Sequence, residues 1–220
     1  YDFVALSHPE EYPFNEGRMI SNRGLDIPVE EYEEHFHEKQ VPHSNSLHSL
    51  HKGRAYHVGP LARFNLNFER LPESVKILAR DSGMAPPCRN PFKSITVRAL
   101  ETVFACEEAL RILDEYEPPP RHRVEAEPRA GTGCACSEAP RGTLYHRYEL
   151  SADGSVVSAK IVPPTSQNLK RIEEDVRQLV PQLLSLSNEE MTRRCEQSVR
   201  NYDPCISCAT HFLKVTLERT

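Results

Sequence analysis

No stretch of this sequence approaches ~18 consecutive apolar residues, so it predicts no transmembrane helix. It also lacks a basic-then-apolar leader, and with neither span nor leader the expected compartment is the cytoplasm. Lysine and arginine are scattered, and a net charge of -5 offers no basic stripe to a nucleic acid. The seven cysteines are an odd count, and without a secretory signal they predict metal ligands or ordinary buried thiols rather than a disulfide framework. The glycines at 131–142 match neither a dinucleotide nor a phosphate-loop spacing, and no strand signal precedes them, so nucleotide binding is not expected. A starting Met is absent too. Tyr1 opens the apolar run Tyr1-Asp2-Phe3-Val4-Ala5-Leu6 as though in mid-domain, which reads as a truncated sequence.

What is present is enough for one sizeable domain. The 220 residues are 38% hydrophobic and 27% charged, and a chain of that size buries roughly 70–75% of its unfolded surface. Eighteen prolines fall in clusters that mark connections. Residues 1–27 read as irregular or short-stranded. Residues 28–40 predict a helix, with Pro28 suited to a first turn, acids crowding the N-terminal turns, and Val29, Tyr32 and Phe36 on one face. The six histidines His35, His37, His43, His48, His51 and His57 share no helical face, and no acid or thiol is spaced among them as a recognisable site, so surface or polar-core roles are expected.

Gly59-Pro60-Leu61-Ala62-Arg63 predicts a tight turn and a helix start. Residues 94–116 carry a broad apolar stripe, which predicts a core helix with a Glu107–Arg111 pair and Cys106 as a small buried hydrophobe. Pro118-Pro119-Pro120 ends it. The β-rich runs 143–150 and 155–162 flank Asp153-Gly154 and predict a hairpin. Helical periodicity returns at Leu169, Ile172, Val176 and Leu179, with Pro181 as kink or terminus. Ser187-Asn188-Glu189-Glu190 is a capping box for a last helix that delivers the chain to Asp203.

Asp203-Pro204-Cys205-Ile206-Ser207-Cys208-Ala209-Thr210-His211 concentrates chemistry in one short turn: two thiols, an imidazole and a carboxylate. Alone, this CxxC fits a redox dithiol or half of a zinc site equally well, since no second pair accompanies it.

Three stretches taken together resemble the C-terminal half of the large subunit of nickel-iron hydrogenases. They are Glu138-Ala139-Pro140-Arg141-Gly142 leading into Leu144-Tyr145-His146, then Val162-Pro163-Pro164-Thr165 with Asn168, and then Asp203 through Cys205 and Cys208 to His211. The similarity includes Gly59-Pro60-Leu61-Ala62-Arg63. The stretches resemble those of the cytosolic, multimeric members, which exchange electrons with NAD(P) or coenzyme F420 through partner subunits, without saying which carrier.

The resemblance implies a nickel-iron centre carrying carbonyl and cyanide ligands, with Cys205 as a terminal nickel ligand and Cys208 as a bridging one. Thiolates suit this because they stay deprotonated on a metal and can bridge two ions. Arg141 matches the arginine above the open metal position, Pro140 lines the same pocket, and Thr165 matches the hydroxyl that donates to a cyanide. Asp203 matches the acid that orients the arginine, and His211 a ligand or neighbour of a magnesium or iron site. Taken without that context, Arg141 reads as a surface arginine and Thr165 as a helix N-cap. Cys134 and Cys136 have no place in such a centre. The family's Arg-x-Cys-Gly-x-Cys stretch, which supplies the other two thiolates, is absent, so this chain holds half a site and is expected to be inactive by itself.

The implied fold is mixed, mainly α with a β-hairpin, the C-terminal part of the large-subunit fold. Residues 1–117 would be mainly helical, 118–163 loop and hairpin, 164–211 helices and metal motif, and 212–220 an extension removed by an endopeptidase after maturation factors insert nickel. The implied partner is a small subunit with iron-sulfur clusters. Non-catalytic relatives in respiratory complexes lose the metal cysteines, which are present here, and a zinc or dithiol protein explains neither 138–142 nor 163–168.

Overall fold

Strand β1 (Val4–Ser7) is covered on both faces, because successive side chains of a strand point to opposite sides. Phe3 and Ala5 pack into one core with Leu61, Phe64, Val97 and Leu100, while Val4 and Leu6 enter a second with Tyr32, Phe36, Tyr145 and Val162. The computed structural model describes residues 1–206, and in it β1 pairs antiparallel with β2 (Arg18–Ser21), and β2 with β3 (Asp26–Ile27).

Residues 28–40 do not form the single helix expected of them. A 3-10 turn at Val29–Glu31 and one turn of helix α1 (Tyr32–His35) give way at Phe36, which has φ -118° and ψ 130°. There the chain becomes β4 (Phe36–Lys39), paired antiparallel with β5 (His48–His51). Aromatic packing overrides the local propensity: Phe36 stacks on Tyr32 at 4.6 Å and on His51 of the facing strand at 4.9 Å, and Tyr32 stacks on Tyr145 at 4.1 Å. Of the six histidines, His48, His51 and His57 are buried, and the others are half-buried or exposed.

Helices α2 (Pro60–Asn67), α3 (Glu73–Asp81) and α4 (Ser94–Glu115) enclose the first core. Only the first half of α4 is a core helix. Val97, Leu100 and Phe104 are buried, whereas Leu110, Ile112 and Leu113 are more than half exposed. Cys106 is exposed rather than buried, and Arg111 pairs with Glu108 and Glu115 while Glu107 accepts from Ser74.

The expected hairpin gains a strand. β6 (Gly131–Ala139), β7 (Gly142–Leu150) and β8 (Val156–Val162) form an antiparallel meander. Its strand signal was hidden because two glycines and small residues fill the exposed end of β6, leaving only Cys136 and Glu138 buried in alternation. Then follow α5 (Pro164–Leu183) and α6 (Asn188–Arg200), the latter capped by Ser187, whose Oγ accepts from the Glu190 N–H at 3.2 Å. No helix of the described residues is long and apolar enough to cross a membrane.

Arg63 of α2 joins these parts. It is 2% exposed, and its Nε and Nη2 donate to the two carboxylate oxygens of Glu101 on α4 at 2.8 and 2.7 Å. Nη1 donates to Glu138 of β6 at 2.9 Å, and Nη1 and Nη2 reach the carbonyls of Ala139 and Pro140 at 2.9 and 3.2 Å. Burial disfavours the charge, but the flanking carboxylates outweigh it and keep Arg63 cationic. Glu138 also accepts from the Leu6 N–H and the Thr143 hydroxyl, tying β1 and β7 to the same group.

Replacing Arg63 by Met leaves two buried carboxylates without a counter-charge, and urea unfolding of the full chain at pH 7 is expected to show a loss of about 3–5 kcal/mol. A loss under about 1 kcal/mol would contradict the role assigned to it. A second prediction concerns His57, which burial, with Arg171 nearby, holds down at about 3 against an ordinary 6.5. The unfolded chain takes up a proton below 6.5 that the folded one refuses, so this contribution is full above 6.5 and falls with pH until about 3. His57→Phe keeps the ring packing and removes this slope. Its stability relative to the parent should improve by about 2 kcal/mol between pH 7 and pH 5, and an unchanged difference would refute the assignment.

Candidate metal centre

The β6–β7 turn, Ala139-Pro140-Arg141-Gly142, lies against the segment that precedes α2. Gly59 has φ +111°, and a Cβ there would sit 2.6 Å from the Arg141 carbonyl oxygen. Gly142 has φ +134°, and a Cβ there would sit 2.6 Å from Val58 Cγ2 and 2.8 Å from the Gly59 nitrogen. The two glycines thus let two backbones approach more closely than any side chain permits. With the carbonyls of Ala139 and Pro140 held by Arg63 from beneath, the turn presents Pro140 and Arg141 outward, both exposed.

The N-terminus of α5 abuts this turn. Pro163 is its N-cap and Pro164 occupies the first turn, where a missing N–H costs nothing. Gln167 and Asn168, at 0% and 2% exposure, spend their amides on backbone outside the helix. Asn168 accepts from the Val58 N–H at 2.9 Å and donates to the Val58 carbonyl at 3.0 Å. Gln167 donates to the carbonyls of Thr143 and Val162, and accepts from the Tyr56 hydroxyl at 3.1 Å. Thr165 does not cap the helix. Its Oγ1 accepts from the Cys205 N–H at 3.4 Å, a long contact that leaves the hydroxyl hydrogen to be donated elsewhere.

The third stretch arrives from α6. The Tyr202 hydroxyl donates to Asp175 of α5, which also accepts from Tyr1 and from Arg171. This anchor fixes the chain one residue before Asp203, whose φ of +48° turns it sharply. Arg141 Nε then donates to the Asp203 carbonyl and lies 3.2 Å from its Oδ2, and Arg98 of α4 approaches the same Oδ2 at 3.7 Å. The terminal nitrogens of the Arg141 fork keep their donors for other groups.

The structure therefore brings Pro140, Arg141, Thr165, Asp203 and Cys205 to one place. Cys208 and His211 lie outside the described residues. Cys134 and Cys136 sit in β6, where Cys134 accepts from the Tyr145 hydroxyl at 3.5 Å. Burial pushes the Cys136 thiol up, so it stays neutral. Arg98, Gln167 and Glu101 were not found by sequence reasoning, and Glu138 stood in a quoted motif with no role assigned to it. A charged residue inside the apolar stripe of α4, Glu101 between Leu100 and Phe104, was the available signal for one of them.

The family described as nickel-dependent hydrogenase matches residues 29–211. Sulfhydrogenase 1 subunit alpha of Pyrococcus furiosus is 35% identical over 194 residues, covering 87% of this chain and 45% of that protein. NAD-reducing hydrogenase HoxS subunit beta of Cupriavidus necator is 32% identical over 166 residues, covering 71% and 34%. The chain thus spans less than half the length of these relatives. Among solved structures, an NAD+-reducing [NiFe]-hydrogenase in the H2-reduced state shares the fold, with a TM-score of 0.75, 24% identity, and 96% of this chain and 50% of that one covered. The chain belongs to the nickel-dependent hydrogenase family and carries a segment of its large-subunit fold.

Proposed function

We propose that this chain supplies the C-terminal half of a nickel-iron centre, within an enzyme that cleaves dihydrogen reversibly and passes electrons to an iron-sulfur small subunit. The observation that carries the reading is the convergence of three distant stretches, through Arg141 on Asp203 and Cys205 on Thr165. The donor set fits: a half-buried thiol in a motif with a second thiol, beside a permanently charged fork and a hydroxyl with a free hydrogen.

In this reading Cys205 and Cys208 hold the metals as thiolates, and His211 serves a nearby magnesium or iron. When bound, the centre supplies Lewis acidity for heterolytic splitting of dihydrogen. Arg141 would offer its terminal N–H donors to anions bound at the centre, where a fixed cation stabilises charge without reorganising. Asp203 holds the guanidinium by Nε, so its orientation does not depend on what occupies the pocket. Pro140 would wall the pocket, and Thr165 would donate its hydroxyl hydrogen to a cyanide ligand of the centre. The remaining two thiolates come from polypeptide outside these 220 residues, because no stretch of this sequence supplies them; the chain alone is then inactive.

Electrons leave through partner subunits in the cytoplasm. The NAD-reducing relative supports an NAD-linked acceptor, whereas relatives named F420-non-reducing lend no support to coenzyme F420. Maturation factors load the centre, and an endopeptidase removes residues 212–220.

Co-produced with a polypeptide carrying the second cysteine pair and with maturation factors, the parent chain should contain stoichiometric nickel by elemental analysis, and Cys205→Ala should lose it. Unchanged nickel would sink the ligand assignment. Arg141→Lys should keep nickel yet lower hydrogen uptake at least about 100-fold, the scale for removing one preorganised donor. Full uptake in that variant would remove Arg141 from the mechanism.

A further inference from the structure

No acid lies between His43 and His48 in the sequence, but the fold brings one to them. Glu173 of α5 stands where His43 and His48 converge. His43 Nε2 lies 2.6 Å and His48 Nε2 3.6 Å from the same carboxylate oxygen, Oε1. The three ligand atoms lie within 4.8 Å of one another, and the two rings meet at 5.8 Å and 81°, edge to face. From this juxtaposition we propose a second metal site, in which His43, His48 and Glu173 bind a divalent first-row transition ion, zinc above all.

The distances carry the argument. At zinc–ligand lengths of ~2.0–2.2 Å and tetrahedral angles, neighbouring donor atoms lie roughly 3.4 Å apart. The His48–Glu173 separation already matches. The His43–Glu173 separation is an ordinary hydrogen bond, and it opens by a rotation of His43, whose side chain is 65% exposed. A plain His43–Glu173 ion pair accounts for only half of this arrangement. It leaves a second imidazole, 4% exposed, aimed at the same oxygen from beyond hydrogen-bond reach. Burial, with His43 and Lys170 nearby, holds His48 below its ordinary value despite Glu173, and the neutral imidazole is the form that ligates.

Among the described residues, Lys170 is the group that argues against a cation here. Its Nζ contacts Glu173 at 3.4 Å, but on Oε2, so Oε1 remains available for a monodentate bond. Two imidazoles and a carboxylate suit zinc, with the fourth position left to water. The ion would clip β5 and the loop before it to α5, about two helical turns beyond Thr165. This site shares no residue with the nickel half-site and stands or falls without it.

The test uses the full chain, stripped with chelator and titrated with Zn2+ alone and with Co2+ alone. Zinc should bind at micromolar or tighter affinity and raise the unfolding temperature. His43→Ala and Glu173→Gln change exposed or half-exposed groups, and each should remove one equivalent or weaken it at least tenfold. Cys205→Ala should leave that equivalent in place. Cobalt at the site should show visible d–d bands without sulfur charge-transfer bands in the near ultraviolet. Failure of the parent chain to bind, an equivalent and thermal shift that survive His43→Ala, or an equivalent lost with Cys205→Ala instead, would each overturn the proposal.

Discussion

A single buried guanidinium holds the architecture together. Arg63 spends its fork on Glu101, Glu138 and two turn carbonyls, so that α2, α4 and β6 meet at one charge network. Lysine could not substitute, because an ammonium is a point charge and cannot address two carboxylates and two carbonyls in fixed directions. The desolvation cost of burying these charges is offset only because nearly every lone pair finds a donor: Tyr12 serves Glu101, while the Leu6 N–H and Thr143 serve Glu138. What the network secures is direction. With its carbonyls gripped from inside, the turn can only present Arg141 on the outer side, toward Asp203.

The same logic explains why the short sequence signatures contain the residues they do. Gly59 and Gly142 are two sides of one backbone contact. Asn168 and Gln167 replace secondary-structure partners for Val58, Thr143 and Val162, whose polar groups would otherwise be buried unpaired. Most of each motif is scaffold, and the residues it leaves free to face a ligand are few.

Much of the fold was legible where one face of an element is buried. The long helix, the 143–162 hairpin, the capped last helix and the start at Pro60 all announce themselves through period or punctuation. The helix expected over 28–40 failed because local acids and spacing cannot reveal that His51 would claim Phe36 across a strand pair. β6 was illegible for the opposite reason, since its exposed glycines carry no pattern. The second half of α4 has a core helix's stripe and an exposed surface, so its sequence records a contact that the described residues do not make. At the site, the family resemblance pointed to Arg141, Thr165, Asp203 and Cys205, whereas Arg98 and the Gln167 amide act through distances that no spacing rule contains.

The contacts that assemble the half-site span long intervals of chain: 62 residues from Arg141 to Asp203, 40 from Thr165 to Cys205, and 110 from Val58 to Asn168. Loops of that size close late, after local helices and hairpins have formed, because their entropy must be met before any contact is gained. The segment carrying Asp203 and Cys205 needs the β6–β7 turn and the start of α5 in position before its own contacts can form. An order of events follows from these separations: the turn at 139–142 and the start of α5 form before the segment carrying Asp203 and Cys205 reaches them.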